Sequence, residues 1–254
     1  MVQEISKYDE KKYLVTKGQY QELVSRMITR VKPGPYGKYL ACNVYFAPSR
    51  GQTENLFLEE GPVCKEKLRL RSYGVPKEKD TVYIELKRGY DGRVYKRRVP
   101  MKYGDAKKYL YYGIRPGGGR QTLGEMDPTL RFYQMCPIRY VAYNRIAFCG
   151  KEEPGLRLTF DFDIRARKYE LELGMGSYGD MILEEGFVLM KVKTPDPVPK
   201  WLSTLFSELG VDPVSCSKSS ICCQGYMAGG GGGPVHNRNH LAMGAVVDFK
   251  GISA

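Results

Sequence analysis

The sequence predicts an α+β fold in which about eight antiparallel strands close into a barrel, a tunnel with a polar, basic interior and helices outside. Strand-like segments dominate the 254 residues, and four of them carry charged side chains at every second position. Residues i, i+2 and i+4 share one face of a strand, so these segments each have a charged face and an apolar face. Charge inside and apolar residues under the helices would reverse the pattern of an ordinary soluble barrel.

The charge alternation lies in residues 67–71, 85–87, 157–163 and 189–193. The first of these segments reads Lys67-Leu68-Arg69-Leu70-Arg71. If such strands curl into one sheet, their charges repel each other unless carboxylates are interleaved or a strong anion lies between them. A polyphosphate or a nucleoside triphosphate would meet that requirement.

Turn residues divide the chain into nine predicted strands and four predicted helices. The strands are residues 9–15, 40–46, 66–73, 81–88, 93–99, 137–148, 156–165, 168–173 and 186–194. The helices are residues 19–31, 105–112, 127–134 and 199–209. The first helix is predicted to stop before Pro33, because proline fixes φ and lacks an N–H. The last has an apolar stripe that includes Trp201 and Leu205.

The composition changes after Tyr226, where a run of five glycines begins at Gly229. Such a run holds a fixed backbone only at a high entropic cost. We therefore expect one domain over residues 1–226 and a flexible glycine-rich tail over residues 227–254.

The net charge of +12 and the pI near 9.3 indicate an anionic partner, without separating nucleic acid, phosphates and a membrane surface. The seven cysteines show no paired spacing, and the polar first twelve residues are no signal peptide. These features predict a reducing, cytoplasmic location. No run approaches the roughly 18 apolar residues of a membrane-spanning helix, so membrane association would require a partner.

Six segments resemble, in order, the VTC-type polyphosphate polymerase domain of the triphosphate tunnel metalloenzymes, the CYTH-like superfamily. They begin with Glu10-Lys11-Lys12-Tyr13-Leu14-Val15 and end with Cys216-Ser217-Lys218. Between them lie residues 67–74, 84–88, 90–98 and 143–148. The resemblance covers residues 8–226 and implies an antiparallel tunnel in which ATP donates its terminal phosphate to a growing polyphosphate, releasing ADP.

The resemblance also implies which basic residues bind phosphate and support catalysis. These are Lys12, Arg69, Arg71, Lys87, Arg145, Arg157 and Lys218. We expect further phosphate contacts from Arg98, Arg139 and Lys193. Both residue types suit a polyanion, because arginine offers planar bidentate donors and lysine a point charge.

The family binds a divalent metal, Mn²⁺ or Mg²⁺, through carboxylates. Lys191 stands where the family has a metal-binding glutamate, and it adds positive charge at that place. The remaining inward carboxylates are Glu10, Glu85, Asp161 and Asp163. They could hold the metal together with substrate phosphates, or they could be ion-pair partners of neighbouring arginines.

Three alternatives to the polymerase remain open at this stage. The same tunnel could hydrolyse tripolyphosphate, or it could bind polyphosphate or nucleotide without turnover, as Lys191 would favour. An exterior basic patch could instead bind nucleic acid, although a closed tunnel excludes a duplex by size. We expect ATP and inorganic polyphosphate as partners, and no nucleic acid.

Overall fold

A computed structural model describes residues 9–48, 66–90, 93–117, 123–124, 126–128, 134–195 and 197–214. The strands are β1 (Asp9–Thr16), β2 (Val31–Pro33), β3 (Tyr39–Pro48), β4 (Glu66–Tyr73), β5 (Thr81–Tyr90), β6 (Arg93–Lys102), β7 (Met135–Gly150), β8 (Arg157–Arg167), β9 (Asp180–Met181) and β10 (Phe187–Thr194). The helices are α1 (Lys17–Met27), α2 (Tyr103–Tyr112) and α3 (Lys200–Glu208), with a 3₁₀ turn at Leu173–Met175. None of the helices in these residues is long and apolar enough to cross a membrane.

All ten strands belong to one antiparallel sheet with the order β1-β10-β8-β7-β3-β4-β5-β6. The short strands β2 and β9 add to β7 and β8. In the described part of the chain, β1 and β6 do not pair with each other, so the predicted closed barrel is wrong: the sheet is open. The outer edge of β1 is met by the chain after α3, where the Val214 N–H donates to the Lys12 carbonyl at 2.7 Å and Pro213 bridges to Tyr13.

The outer face of the sheet is apolar and lies under the helices, as the alternation predicts. Leu68 and Leu70 of β4 are buried against α2, together with Tyr109 and Leu110 of that helix. Helices α1 and α3 cover β1, β8 and β10 through a second apolar cluster. Burial of these side chains supplies the main driving force for wrapping the helices around the sheet.

The inner face is not uniformly polar, contrary to expectation. Ala41, Val141 and Leu189 form a third apolar cluster with Ile182 and Leu183. These last two residues precede β10 and are less than 10% exposed. The segment around them therefore fills part of the inside of the sheet, and the rest remains a cavity.

Eight of the nine predicted strands are confirmed, and the strand at residues 168–173 is wrong. That stretch folds around Arg167, whose buried guanidinium donates to the carbonyls of Glu170, Glu172, Gly176 and Tyr178 at 2.7–3.2 Å. These bonds capture the carbonyls that a strand would have used in a ladder. The short strands β2 and β9 were not predicted.

Three predicted helices are confirmed with shifted ends. Helix α1 begins two residues early because Thr16 caps it: the Thr16 hydroxyl accepts from the Gln19 N–H, and the Gln19 side chain accepts from the Thr16 N–H. Of the predicted helix at residues 127–134, residues 127–128 are helical and Gln134 lies in a turn, while residues 129–133 lie outside the described part.

Candidate functional site

A cavity of about 810 Å³ lies within the rolled sheet, and each of the eight strands of the sheet path contributes to its wall. Among the described residues, eleven of its lining side chains are basic: Lys12, Lys67, Arg69, Arg71, Lys87, Lys96, Arg98, Arg145, Arg157, Lys191 and Lys193. Two are acidic, Glu10 and Glu85. Six are tyrosines: Tyr36, Tyr39, Tyr45, Tyr73, Tyr83 and Tyr143. The volume is within the range of small-molecule sites.

Glu85 is the centre of one cluster of charges. It pairs in register with Arg69 on β4 and Arg98 on β6, so both arginines lie beside it on the inner face. The Arg69 Nε donates to Glu85 Oε2 at 2.6 Å, and Arg98 and Lys96 approach Oε1 at 3.4 and 3.8 Å. Burial alone would raise the pKa of Glu85, but the cations, chiefly Arg69 and Arg71, hold it at about 2.

Arg145 is positioned by Asp161, which lies directly opposite it on β8. Its Nε and Nη2 donate to the two carboxylate oxygens at 2.6 and 2.8 Å, and Asp161 is fully buried. Although burial acts to lower the pKa of Arg145, Tyr143 and Asp161 raise it well above its usual value. A bidentate pair of this kind fixes the plane of the guanidinium, so the remaining N–H groups of Arg145 have a set direction.

Arg71 is held by neutral groups as well as by charge. Its Nε donates to Asn43 Oδ1 and its Nη2 to the Tyr143 hydroxyl, both at 2.8 Å. The Asn43 amide in turn donates to the Val141 carbonyl at 3.0 Å. Asn43 was not predicted; its only signal in the sequence is a polar residue inside the otherwise apolar strand β3.

Glu10, Lys191 and Lys193 form a third cluster across β1 and β10. Lys193 is in register with Glu10, and the two lysine Nζ atoms lie 3.3 Å (Lys191) and 2.8 Å (Lys193) from its carboxylate oxygens. Burial would raise the pKa of Glu10, yet these two lysines lower it far below its usual value. The pKa of Lys87 is lowered, first by burial and, against the pull of Glu10, by the same two lysines.

Most of the predicted site residues face this one cavity. Its lining contains the predicted phosphate ligands Lys12, Arg69, Arg71, Lys87, Arg98, Arg145, Arg157 and Lys193, and the predicted metal ligands Glu10 and Glu85. Their roles in binding and catalysis remain proposals.

The other predicted site residues lie elsewhere. Asp161 is fully buried in its ion pair with Arg145 and is not part of the cavity lining. Asp163 is exposed at a register shift between β7 and β8, with φ of 50°, and accepts from the Asn144 amide at 2.8 Å. Arg139 is aligned with Tyr45 but is not part of the cavity lining. Lys218 lies outside the described residues.

The carboxylates of the cavity do not form a preformed site for a divalent metal. Within the described ranges, no three His, Cys, Asp or Glu side chains come together in a way that could hold a metal ion. Glu10 and Glu85 are each surrounded by cations instead, and Lys191 holds one of the Glu10 oxygens. Hard cations need several oxygen ligands, and these two separated carboxylates alone do not supply them.

The fold and the site together define an antiparallel sheet rolled around a strongly basic cavity. The chain belongs to the VTC domain family, whose model matches residues 7–227. This confirms the resemblance found in the sequence. A search of curated proteins finds no match.

The solved structures that this chain is similar to are distant in sequence. A putative adenylate cyclase from Bacillus halodurans is 16% identical, with 82% of this chain and 92% of that chain covered and a TM-score of 0.49. A putative adenylyl cyclase from Hippeastrum is also 16% identical, with 84% and 93% covered and a TM-score of 0.49. The PH1819 protein from Pyrococcus horikoshii is 12% identical, with 84% and 94% covered and a TM-score of 0.44.

Proposed function

We propose that this protein is a polyphosphate polymerase that transfers the terminal phosphoryl group of ATP to the end of an inorganic polyphosphate chain. Membership of the VTC domain family supports an activity on polyphosphate or triphosphate. The observation that carries the proposal is that, among the described residues, eleven basic side chains and two carboxylates converge on one cavity. Such an excess of cations fits a long, highly charged anion.

In the proposed reaction, a terminal oxygen of the polyphosphate attacks the γ-phosphorus of ATP. The bond from that phosphorus to the β–γ bridging oxygen breaks, and ADP leaves with the electron pair. Phosphoryl transfer asks little covalent chemistry of a protein, so catalysis rests on alignment and on neutralising the phosphate oxygens.

The arginines are suited to this task because their side chains are already fixed. Asp161 holds Arg145, Glu85 holds Arg69, and Asn43 with Tyr143 holds Arg71. Donors that are oriented before the substrate arrives need no reorganisation during the reaction. We propose that these three arginines bind the transferring phosphoryl group and its neighbours.

The lysines and Arg157 complete the proposed binding wall. We propose that Lys12, Lys87 and Lys193 neutralise phosphates along the chain as point charges, together with Arg98 and Arg157. Arg139 and Lys218 are kept as proposed phosphate contacts on the resemblance alone. The described carboxylates form no preformed metal site, so we propose that Mn²⁺ or Mg²⁺ would be held mainly by substrate phosphates together with Glu10 or Glu85.

The test incubates the full chain with ATP, with Mn²⁺, Mg²⁺ or a chelator, and with or without a short polyphosphate primer. Polyphosphate is resolved on a gel while ADP and inorganic phosphate are quantified. We expect long chains with stoichiometric ADP, and a loss of at least about a hundredfold in Arg69→Ala. The control is Arg26→Ala, which removes an arginine on α1 that is paired with Glu208 away from the cavity.

The other possible results of this test would each exclude the polymerase, and two of them would indicate a different function. Release of inorganic phosphate without chain growth would make the protein a triphosphate hydrolase, since water would then be the acceptor. Polyphosphate binding without turnover would make it a binding protein. If the protein showed no binding of polyphosphate and no turnover, the assignment of the cavity as a phosphate site would be overturned.

A further inference from the structure

Four tyrosines stand in a row along one part of the cavity wall. The ring centroids of Tyr36 and Tyr39 are 6.3 Å apart, those of Tyr39 and Tyr73 are 5.5 Å apart, and those of Tyr73 and Tyr83 are 5.7 Å apart. Adjacent rings meet edge to face, with interplanar angles of 66–85°. All four line the cavity. They come from the turn after β2 and from the ends of β3, β4 and β5, so folding alone assembles the row.

Two of the four rings are too exposed to serve mainly as core, whereas Tyr39 and Tyr83 are half-buried and Tyr39 packs against the third apolar cluster. Tyr36 is 78% exposed and Tyr73 is 48% exposed, whereas Tyr140 and Tyr143 of the same sheet are essentially buried. Exposed aromatic rings contribute little burial to folding. The faces of the rings are also electronegative, so a phosphate chain could use only the tyrosine hydroxyls and not the ring surfaces. The exposed ring surfaces of Tyr36 and Tyr73 therefore suit a different part of a ligand.

Arg98 connects the row to the phosphate-binding part of the cavity. Its guanidinium carbon lies 3.7 Å from the centroid of the Tyr83 ring and 5.7 Å from that of Tyr73, and its Nη2 donates to the Tyr73 hydroxyl at 2.9 Å. The same guanidinium approaches Glu85 at 3.4 Å. A ligand with a planar ring at one end and anionic oxygens at the other would contact both parts.

We propose that the tyrosine row is a subsite for the base of a nucleoside triphosphate whose phosphates lie among the cavity cations. Every nucleobase has a π-face that can stack on an exposed tyrosine. Of the four rings, Tyr36 and Tyr73 present the most open surface. The inference rests on the proposed function for the phosphate part of the cavity. It adds where the base of that nucleotide binds, and it predicts that the cavity prefers a nucleoside triphosphate to inorganic triphosphate.

The test compares ATP with inorganic tripolyphosphate, which carries the same three phosphates without a nucleoside. Binding of each to the full chain is measured by titration calorimetry, with a chelator present so that metal does not contribute. The affinity of the wild type for tripolyphosphate shows what the phosphate charge alone contributes. We expect the wild type to bind ATP more tightly than this charge contribution would give. In Tyr36→Ala we expect the ATP affinity to fall about tenfold, with the tripolyphosphate affinity unchanged. Tyr36→Phe retains the ring and should retain the ATP affinity.

The matched control is Tyr112→Ala. Tyr112 is 72% exposed at the end of α2 and does not line the cavity. If Tyr36→Ala lowered the affinities for ATP and tripolyphosphate equally, the base subsite would be overturned, because the row would then only support the cations that bind phosphate. Unchanged affinity for both ligands would also overturn it, while leaving the proposed function intact. If the wild type bound neither ligand, the proposed function itself would fail.

Discussion

Glu85 is the counterion that allows four cations to lie on adjacent strands of the cavity wall. Arg69, Arg71, Lys96 and Arg98 all approach its carboxylate, which is 2% exposed. Glu85→Gln keeps the shape of the side chain and removes its charge. The four cations would then face each other in a poorly solvated place without a carboxylate among them.

The size of the effect follows from the pKa of Glu85. The folded protein lowers this pKa from 4.5 to about 2, and each unit corresponds to about 1.4 kcal/mol. The ionised carboxylate therefore contributes about 3 kcal/mol at neutral pH. A lowered pKa means that this stability is present above pH 4.5 and is lost as the pH falls towards 2. By pH 3 the contribution should be about half of its neutral value.

The assay is urea unfolding of wild type and Glu85→Gln at pH 7 and at pH 3. We expect a difference of about 3 kcal/mol at pH 7 that shrinks at pH 3, and a smaller difference when tripolyphosphate supplies the missing negative charge. Glu185→Gln is the control, because Glu185 is 97% exposed and lies 3.9 Å from Lys17. A difference that is negligible at pH 7, or equal at both pH values, would refute this account of the cluster.

Three further predictions test other parts of the cavity. Lys191→Glu places a second carboxylate beside Glu10 and should raise Mn²⁺ affinity about tenfold in calorimetry, whereas Lys191→Gln, which adds no oxygen anion, should not. Because desolvation in the cavity lowers the pKa of Lys87, and likewise that of Lys96, tripolyphosphate affinity should decline before the pH reaches the ordinary lysine value of 10.5; Lys87→Arg should reduce this decline, and a flat wild-type profile would contradict this reasoning. Arg145→Lys gives up the bidentate pair with Asp161 and should lower the free energy of unfolding by about 1–3 kcal/mol; an unchanged value would show that the pair contributes nothing.

Alternation identified the strands and the inward face because both are local properties of the sequence. Arg69 and Arg71 face the cavity while Leu68 and Leu70 are buried outside, as a period of two requires. The partner of each cation was harder to assign. That Glu85 lies between Arg69 and Arg98 depends on the register of three strands, which turn chemistry and packing set together.

The errors of prediction arise from contacts that the alternation of side chains does not reveal. The predicted closure of the barrel is wrong in the described part of the chain, where β1 and β6 do not pair and Val214, far along the chain, donates to a carbonyl at the edge of β1. The strand at 168–173 failed because one side chain, Arg167, binds the carbonyls of the segment. The tyrosine row was missed since its members are spread from Tyr36 to Tyr83, with no pattern in the sequence that links them.

The surplus of cations in the cavity connects stability with binding. Two unit charges 4 Å apart interact with about 4 kcal/mol near a protein surface, so eleven basic groups repel each other strongly. Glu10, Glu85 and Asp161 offset this repulsion only in part, because the basic groups outnumber the carboxylates. Binding of the proposed polyanion would reduce the remaining repulsion, and that gain would add to the affinity. On the proposed function, the ion pairs that let the chain fold without a ligand would thus leave enough positive charge to favour a phosphate chain over a single phosphate.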